Sequence, residues 1–156
     1  LVDAFNEKNI SLSLKTAENI GMGCLTKIES KNKPDFVIFW DKDIYLAQRL
    51  ENLGIKLFNS SRAIELCDNK ILMYQELTKR NIKIPKTFIA PKTFEGLNYN
   101  NLDFVKKIAL ETGYPFILKE AYGSFGQQVY LIKNFDEAKQ IIDNLCHKDF
   151  LIHICL

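Results

Sequence analysis

The most informative stretch of the sequence runs from Phe116 to Val129 and reads FILKEAYGSFGQQV. Its first five residues are mainly apolar and predict a strand, and residues 128–132 predict a second strand that pairs antiparallel with it. Between the two lies a loop of small residues, in which Gly123 and Gly126 let the backbone approach a ligand closely. The stretch therefore predicts a hairpin whose loop is either a phosphate cradle or simply flexible.

Two lysines occupy positions that are unfavourable for a cation. Lys119 lies within the apolar strand before the loop, where an ammonium group needs an anion or a path to water. Lys70 lies in the first turn of a helix predicted to be capped by Asp68, where a positive charge opposes the helix dipole by roughly 0.3–1 kcal/mol unless an anion binds nearby. An edge strand would explain Lys119 without a ligand, and solvation beside Asp68 would explain Lys70. Together with the glycine loop, however, the two lysines favour a polyphosphate site.

The N-terminal part of the chain predicts a parallel α/β unit. The apolar run at residues 35–41 is typical of a strand buried on both faces, and residues 44–53 repeat apolar side chains with helical spacing. Residues 55–58 predict the next strand, and the alternation at residues 10–14 predicts an earlier, half-buried one. Asp41 and Asp43 follow the first apolar run, where open α/β sheets bind ligands, but a capping role for one of them is the simpler interpretation.

A second domain is predicted to begin after residue 67. Its predicted helices lie near residues 68–80, 102–112 and 138–145, and its strands lie within residues 83–89, 116–120, 128–132 and 150–154. Helices and strands thus alternate along the whole chain, as expected for a mixed α/β fold.

Composition excludes several classes of protein. The chain has 156 residues, of which 47% are hydrophobic and 26% charged, as in ordinary globular domains. No apolar run is long enough to predict a membrane span, so no membrane partner is expected. Twenty-one basic residues against 19 acidic ones leave a formal charge of +2, which argues against nucleic acid as a partner. The four cysteines show no C-x-x-C spacing, which favours a reducing cytoplasm.

Other candidate sites are weaker. Cys146, His147, His153 and Cys155 follow no familiar zinc spacing, so no metal ligands are predicted, and His153 and Cys155 are interpreted as the end of an apolar strand. The chain contains no G-x-x-x-x-G-K-[ST] motif, which excludes a P-loop. No catalytic residue is assigned.

The helix start Cys67-Asp68-Asn69-Lys70, together with the lysine strand and glycine loop at residues 116–129, resembles the ATP-grasp superfamily. The nearest branch is that of the ribosomal-protein-modifying and related glutamate ligases, and the resemblance covers most of the chain. It implies an α/β fold with a partial parallel-sheet pre-ATP-grasp domain at residues 1–67, lacking its first strand. Residues 68–156 would form the N-terminal α+β lobe of an ATP-grasp domain, without its C-terminal lobe.

The resemblance also implies a site. Lys70 and Lys119 would contact the phosphates of ATP, with Lys119 also near the adenine, and the following loop would close over the β- and γ-phosphates. The loop residues are Gly123, Ser124, Phe125, Gly126, Gln127 and Gln128. One departure from the family is that His153-Ile154 stands where a Gln-Glu pair usually begins the adenine-binding hinge.

The family's reaction phosphorylates a carboxylate with ATP, and an amine then displaces the phosphate. The implied cofactors are ATP and Mg²⁺, the latter held in the missing lobe, and the implied partners are small-molecule or peptide carboxylates and amines. The chain alone is expected to be inactive and to self-associate through incomplete sheets. A non-catalytic nucleotide-binding or interaction module is the alternative, and a flavodoxin-like regulator that uses Asp41 or Asp43 is a third interpretation.

Overall fold

The computed structural model describes residues 2–21, 33–94, 96–145 and 147–154. The chain forms two compact units, Leu1–Arg62 and Ala63–Leu156. The division falls near the start of a helix, α4, which runs from Ser61 to Asp68. The domain boundary predicted after residue 67 lies at the other end of this helix and stays a prediction.

The first unit contains a small parallel α/β arrangement. Its elements are α1 (Val2–Asn6), α2 (Ala17–Gly21), β1 (Phe36–Ile38), α3 (Ile44–Asn52) and β2 (Lys56–Phe58). β1 and β2 pair in parallel, with Phe36 opposite Lys56, which confirms the predicted strand–helix–strand unit. Asp43 is the N-cap of α3, because its carboxylate accepts a 2.9 Å hydrogen bond from the backbone N–H of Leu46.

The strand expected at residues 10–14 is wrong. These residues form neither helix nor strand, and 80% of the Leu14 side-chain surface is exposed. Alternation of apolar and polar residues produces a strand only where a neighbouring strand takes up the backbone hydrogen bonds. Among the described residues of this unit, the sheet consists of β1 and β2 alone.

The second unit is built on a four-stranded antiparallel sheet. Its elements after α4 are α5 (Lys70–Lys79), β3 (Thr87–Ile89), α6 (Asp103–Thr112), β4 (Phe116–Glu120), β5 (Val129–Ile132), α7 (Phe135–Asn144) and β6 (Phe150–Ile154). The strand order is β3-β6-β4-β5. β4 and β5 pair antiparallel with Phe116 opposite Ile132, which confirms the predicted hairpin. Together the two sheets give the mixed α/β fold that the sequence predicts.

One face of this sheet, called here the covered face, is packed against α6 and α7. Phe116 and Leu118 on β4 are fully buried there, as is Ile132 on β5. They join a single apolar cluster with helix residues such as Val105 and Ile142. Burial of each large apolar side chain stabilises the fold by roughly 1.5–3 kcal/mol, so this face holds most of the unit's packing energy.

The opposite face, called here the open face, carries the alternate residues of the same strands; α5 packs over its β3–β6 part, where Leu151 and His153 are buried, and its β4–β5 part remains exposed. Its members are Thr87, Ile89, Ile117, Lys119, Val129, Leu131, Leu151 and His153. A groove of about 220 Å³ between α5 and the β3–β6 part of this face is lined by residues that include Ile71, Tyr74 and Leu151. Val129 and Leu131 on β5 remain 39% and 49% exposed.

None of the helices described here combines the length and the apolar character that crossing a bilayer requires.

Candidate phosphate-binding site

Lys119 projects from an interior strand onto the open face. β4 pairs with β6 on one side and with β5 on the other, so the explanation of Lys119 as an edge-strand lysine is wrong. The side chain is half-buried, and in the described part of the chain no hydrogen bond or ion pair is formed by its ammonium group. A cation that is incompletely solvated and has no counter-ion gains free energy when it binds an anion.

The start of α5 differs from the sequence-based expectation. The N-cap is Asn69 rather than Asp68, which ends α4. The Asn69 side-chain oxygen accepts from the backbone N–H groups of Ile71 and Leu72, at 2.9 and 3.1 Å. Because these N–H groups are already bonded, the backbone at this helix start is not free to bind an anion.

Lys70 ties the start of α5 to the glycine loop by two hydrogen bonds. Its backbone N–H donates to the carbonyl oxygen of Ala121 at 2.8 Å, and its Nζ donates to the carbonyl oxygen of Gly123 at 2.9 Å. The structure therefore brings Lys70 and the loop together, although they are separated by about fifty residues in the sequence. Nothing in the pattern of residues around Lys70 reveals this pairing, because it depends on the tertiary fold.

The loop between β4 and β5 requires its glycines for two different reasons. Gly123 has a φ of +135°, and a Cβ at this position would clash with the side chain of Gln128, which packs across it. Gly126 has a φ of +76° and open space around it, so its requirement is conformational alone. Phe125 between them also has a positive φ, of 58°, and its side chain is fully exposed at the loop tip. The amide oxygen of Gln128 is buried and has no hydrogen-bond partner among the described residues.

A buried carboxylate holds the base of the loop on the covered face. Glu120 accepts hydrogen bonds of 2.8 Å from the hydroxyl of Tyr130 and from Nζ of Lys148. The hydrogen bond to Glu120 raises the pKa of Tyr130, and burial and the carboxylate charge act in the same direction. This group fixes the two ends of the loop while the loop tip stays exposed, and no local pattern in the sequence indicates it.

His153, which the family resemblance places at the start of the adenine-binding hinge, was not predicted to lie beside Lys119. It lies on β6 opposite Ile117, on the same face as Lys119, and only 3% of its surface is exposed. Burial, and secondarily the positive charge of Lys119, lower the pKa of the His153 imidazole to about 4. The register of β6 on β4 would have indicated its position, but a register of this kind cannot be read from the sequence.

No group of three or more potential metal ligands occurs among the described residues. Cys146 and Cys155, which were considered with His147 and His153 as a metal cluster, lie outside the described residues. His153 instead hydrogen-bonds to Thr87 and packs against the ring of Tyr74, with ring centroids 4.7 Å apart. No metal ligand is therefore assigned within the part of the chain that the structure describes.

The residues described above lie within a region of the chain that matches a known family. A model of the RimK-like ATP-grasp domain matches residues 67–154, more than half of the chain and the whole of the site. The chain belongs to the RimK-like ATP-grasp family. Its similarity to uncharacterized protein MG012 homolog of Mycoplasma pneumoniae is 35% identity over 93% of this chain and 51% of that protein. With the glutamate–LysW ligase ArgX of Sulfolobus acidocaldarius it shares 36% identity over 65% of this chain and 33% of the ligase.

Solved structures show the same fold for this ATP-grasp chain. A RimK-domain ATP-grasp protein from Sphaerobacter thermophilus superposes with a TM-score of 0.73 at 16% identity, covering 99% of this chain and 58% of that protein. N5-carboxyaminoimidazole synthetase from Staphylococcus aureus, which was solved with ADP, gives a TM-score of 0.62 at 16% identity, over 78% of this chain and 31% of the enzyme. The chain thus spans about half the length, or less, of the curated relatives compared here.

Proposed function

We propose that this chain is the ATP-binding part of an ATP-dependent carboxylate–amine ligase. Lys119 and Lys70 hold the phosphates, and the loop Gly123–Gln128 lies over them. The observation that carries the proposal is the half-buried Lys119, without a partner among the described residues, at the root of a loop that Lys70 also contacts.

Three further features support this assignment. The open face beside Lys119 is apolar and exposed at Val129 and Leu131, as a surface for an adenine ring requires. The loop is anchored at its base and exposed at its tip, an arrangement that allows the tip to close on a ligand. Relatives of this chain include glutamate–LysW ligase and β-citrylglutamate synthase, whose names describe the joining of a glutamate to another molecule.

In the proposed reaction, a carboxylate oxygen attacks the γ-phosphorus of ATP and ADP leaves, giving an acyl phosphate. The nitrogen of an amine then attacks the acyl carbon, the amine loses a proton, and inorganic phosphate leaves as the amide bond forms. Lysines and loop N–H groups stabilise the charge that accumulates on the phosphate oxygens. The carboxylate and amine substrates are proposed to be small molecules or peptides.

Among the described residues, no group of three or more His, Cys, Asp or Glu side chains is placed to hold a metal ion. The ligands of the Mg²⁺ that the family resemblance implies are proposed to lie in the C-terminal lobe, where the ion would neutralise charge on the phosphates. In line with the fold resemblance, the chain alone is proposed to bind nucleotide without completing the ligation.

The proposal is tested by calorimetric titration of the chain with ADP and with a non-hydrolysable ATP analogue. We expect binding by the native chain and a loss of affinity of roughly 10- to 100-fold in Lys119→Ala, which removes a charge-assisted hydrogen bond. Lys139→Ala is the matched control, since Lys139 is an exposed lysine on α7, which packs on the covered face.

The possible results of these titrations test the position of the site, nucleotide binding by the chain, and its role in catalysis separately. Equal weakening by both substitutions would mean that only the net charge matters and that the site is misplaced. A native chain that binds neither nucleotide would contradict the proposed function of the chain. Binding of nucleotide that persists without any ligase activity in the complete protein would favour a non-catalytic nucleotide-binding module.

A further inference from the structure

His153 and Lys119 are diagonal neighbours on the open face. β4 and β6 pair so that Ile117 is opposite His153 and Lys119 is opposite Leu151. In an antiparallel pair, residues related in this way have side chains about 7–8 Å apart at their bases, within reach of a long side chain. At this separation the positive charge of Lys119 disfavours protonation of the imidazole and lowers the pKa of His153, as a smaller cause beside burial.

The hydrogen bonds around His153 assign the roles of its two ring nitrogens. The hydroxyl of Thr87 donates to the carbonyl oxygen of Pro85 at 2.8 Å, so its oxygen acts as an acceptor towards Nδ1 of His153, also at 2.8 Å. Nδ1 therefore carries the proton, and Nε2 carries a lone pair. Nε2 is buried and has no partner in the described part of the chain, a costly state for a polar atom.

The surroundings of the imidazole keep it neutral while the site is empty of anions. Thr87 contacts it from β3 and the ring of Tyr74 from α5, and the charged group that acts on it is Lys119 from β4. Burial is the larger reason for its low pKa, of about 4, and repulsion by Lys119 is the smaller one. An anion bound to Lys119 reverses the second effect, because it cancels the repulsion and attracts a proton in turn.

We propose that His153 takes up a proton on Nε2 when Lys119 binds a phosphate chain, so that the anion is held by two adjacent cations. The proton comes from solvent, and Nε2 is the ring nitrogen with the free lone pair to accept it. This inference rests on the proposed function of the site and adds a regulation to it: nucleotide affinity rises as the pH falls.

The direct test is the protonation state of His153 itself, followed by nitrogen NMR of histidine-labelled chain between pH 8 and pH 5. The sequence contains two histidines, and the exposed His147 serves as a reference in the same spectrum. We expect His153 to remain neutral, with the proton on Nδ1, down to pH 5 without ligand. With saturating ADP, its titration midpoint should move above pH 5. An imidazole that stays neutral at pH 5 in the ADP complex would overturn the proposal.

The affinity for ADP provides the second readout, with His153→Gln as the comparison, since glutamine has no titratable group. The quantity compared is the change in ADP affinity of each protein between pH 8 and pH 5, so a difference in affinity at pH 8 does not affect the result. A midpoint raised by about two pH units predicts that this change favours tighter binding at pH 5 by roughly tenfold more in the native chain than in the variant. The titration of ADP itself affects both proteins alike and cancels in the comparison.

The two experiments distinguish failure of this inference from failure of the proposed function. Binding at pH 8 that requires Lys119 supports the nucleotide site, whatever His153 does. Such binding with the same pH dependence in native and His153→Gln chains would overturn the proton linkage alone. Absence of ADP binding by the native chain at both pH values would overturn the site and the linkage together.

Discussion

The two faces of the four-stranded sheet are made by alternate residues of the same strands, yet they are built for different purposes. On the covered face, Leu118 and Ile132 are fully buried against α6 and α7. On the open face, their neighbours Lys119 and Leu131 are half-buried and half-exposed. We infer that packing on the covered face provides the stability that allows the open face to keep exposed apolar side chains and Lys119, a cation with no partner among the described residues.

β4 illustrates this division within five residues. Phe116, Leu118 and Glu120 point to the helices, where the two apolar side chains pack and the carboxylate is held by two hydrogen bonds. Ile117 and Lys119 point the other way. Because successive side chains of a strand alternate between faces, one short strand can serve both the core and the binding site.

The largest difference between the faces is expected from truncating neighbouring side chains on β4. Leu118→Ala should lower the free energy of unfolding by roughly 2–5 kcal/mol, because it leaves a cavity in the packed cluster. Ile117→Ala should cost clearly less, since Ile117 is on the open face and only half-buried. Chemical denaturation of both variants at neutral pH measures this difference. Equal losses would mean that the open face is packed as tightly as the covered one.

The second prediction concerns the dependence of stability on pH, because the imidazole of His153 is buried between the open face and α5. The folded-state pKa of His153, about 4, is below its unfolded value of 6.5, so the folded state binds fewer protons in this range. The free energy of unfolding is therefore unaffected by this group above pH 6.5. As the pH falls from 6.5 towards 4, protonation of the imidazole in the unfolded state lowers the free energy of unfolding by about 2–3 kcal/mol. Denaturation curves at pH 7 and pH 4.5 should show a steeper loss for the native chain than for His153→Gln. Identical pH slopes in the two proteins would contradict the neutral, buried state of the imidazole.

The smallest change in the free energy of unfolding is expected from a substitution on β5, the outer strand of the open face. Leu131→Thr should change the free energy of unfolding by about 0.5 kcal/mol or less, because Leu131 is 49% exposed and threonine suits a strand. Ile132→Thr, one residue further on the covered face, is the matched comparison and should be markedly destabilising. Thermal unfolding of the two variants measures the contrast, and sedimentation of Leu131→Thr shows whether this apolar surface drives the expected self-association. A large loss of stability in Leu131→Thr would show that the surface is buried in solution.

Much of the local structure could be predicted from the sequence. Periodic apolar residues and turn residues predicted α3, α6, α7 and the β4–β5 hairpin, since these signals act over a few neighbouring residues. The prediction of a strand at residues 10–14 is wrong, because no strand in the described part of the chain pairs with these residues. The cap of α5 was misplaced by one residue, since Asp68 and Asn69 are both good capping residues and only the backbone geometry selects between them.

The sequence by itself determined the fold class, the lysine strand and the glycine loop, because strand period, turn chemistry and motif spacing are all local properties. Tertiary structure alone decided that Lys119 lies on an interior strand, that Lys70 bonds to Gly123, and that His153 lies beside Lys119. These three facts depend on strand order, helix docking and register. Such features join residues that are far apart in the chain, and a one-residue slip would have moved either side chain to the other face.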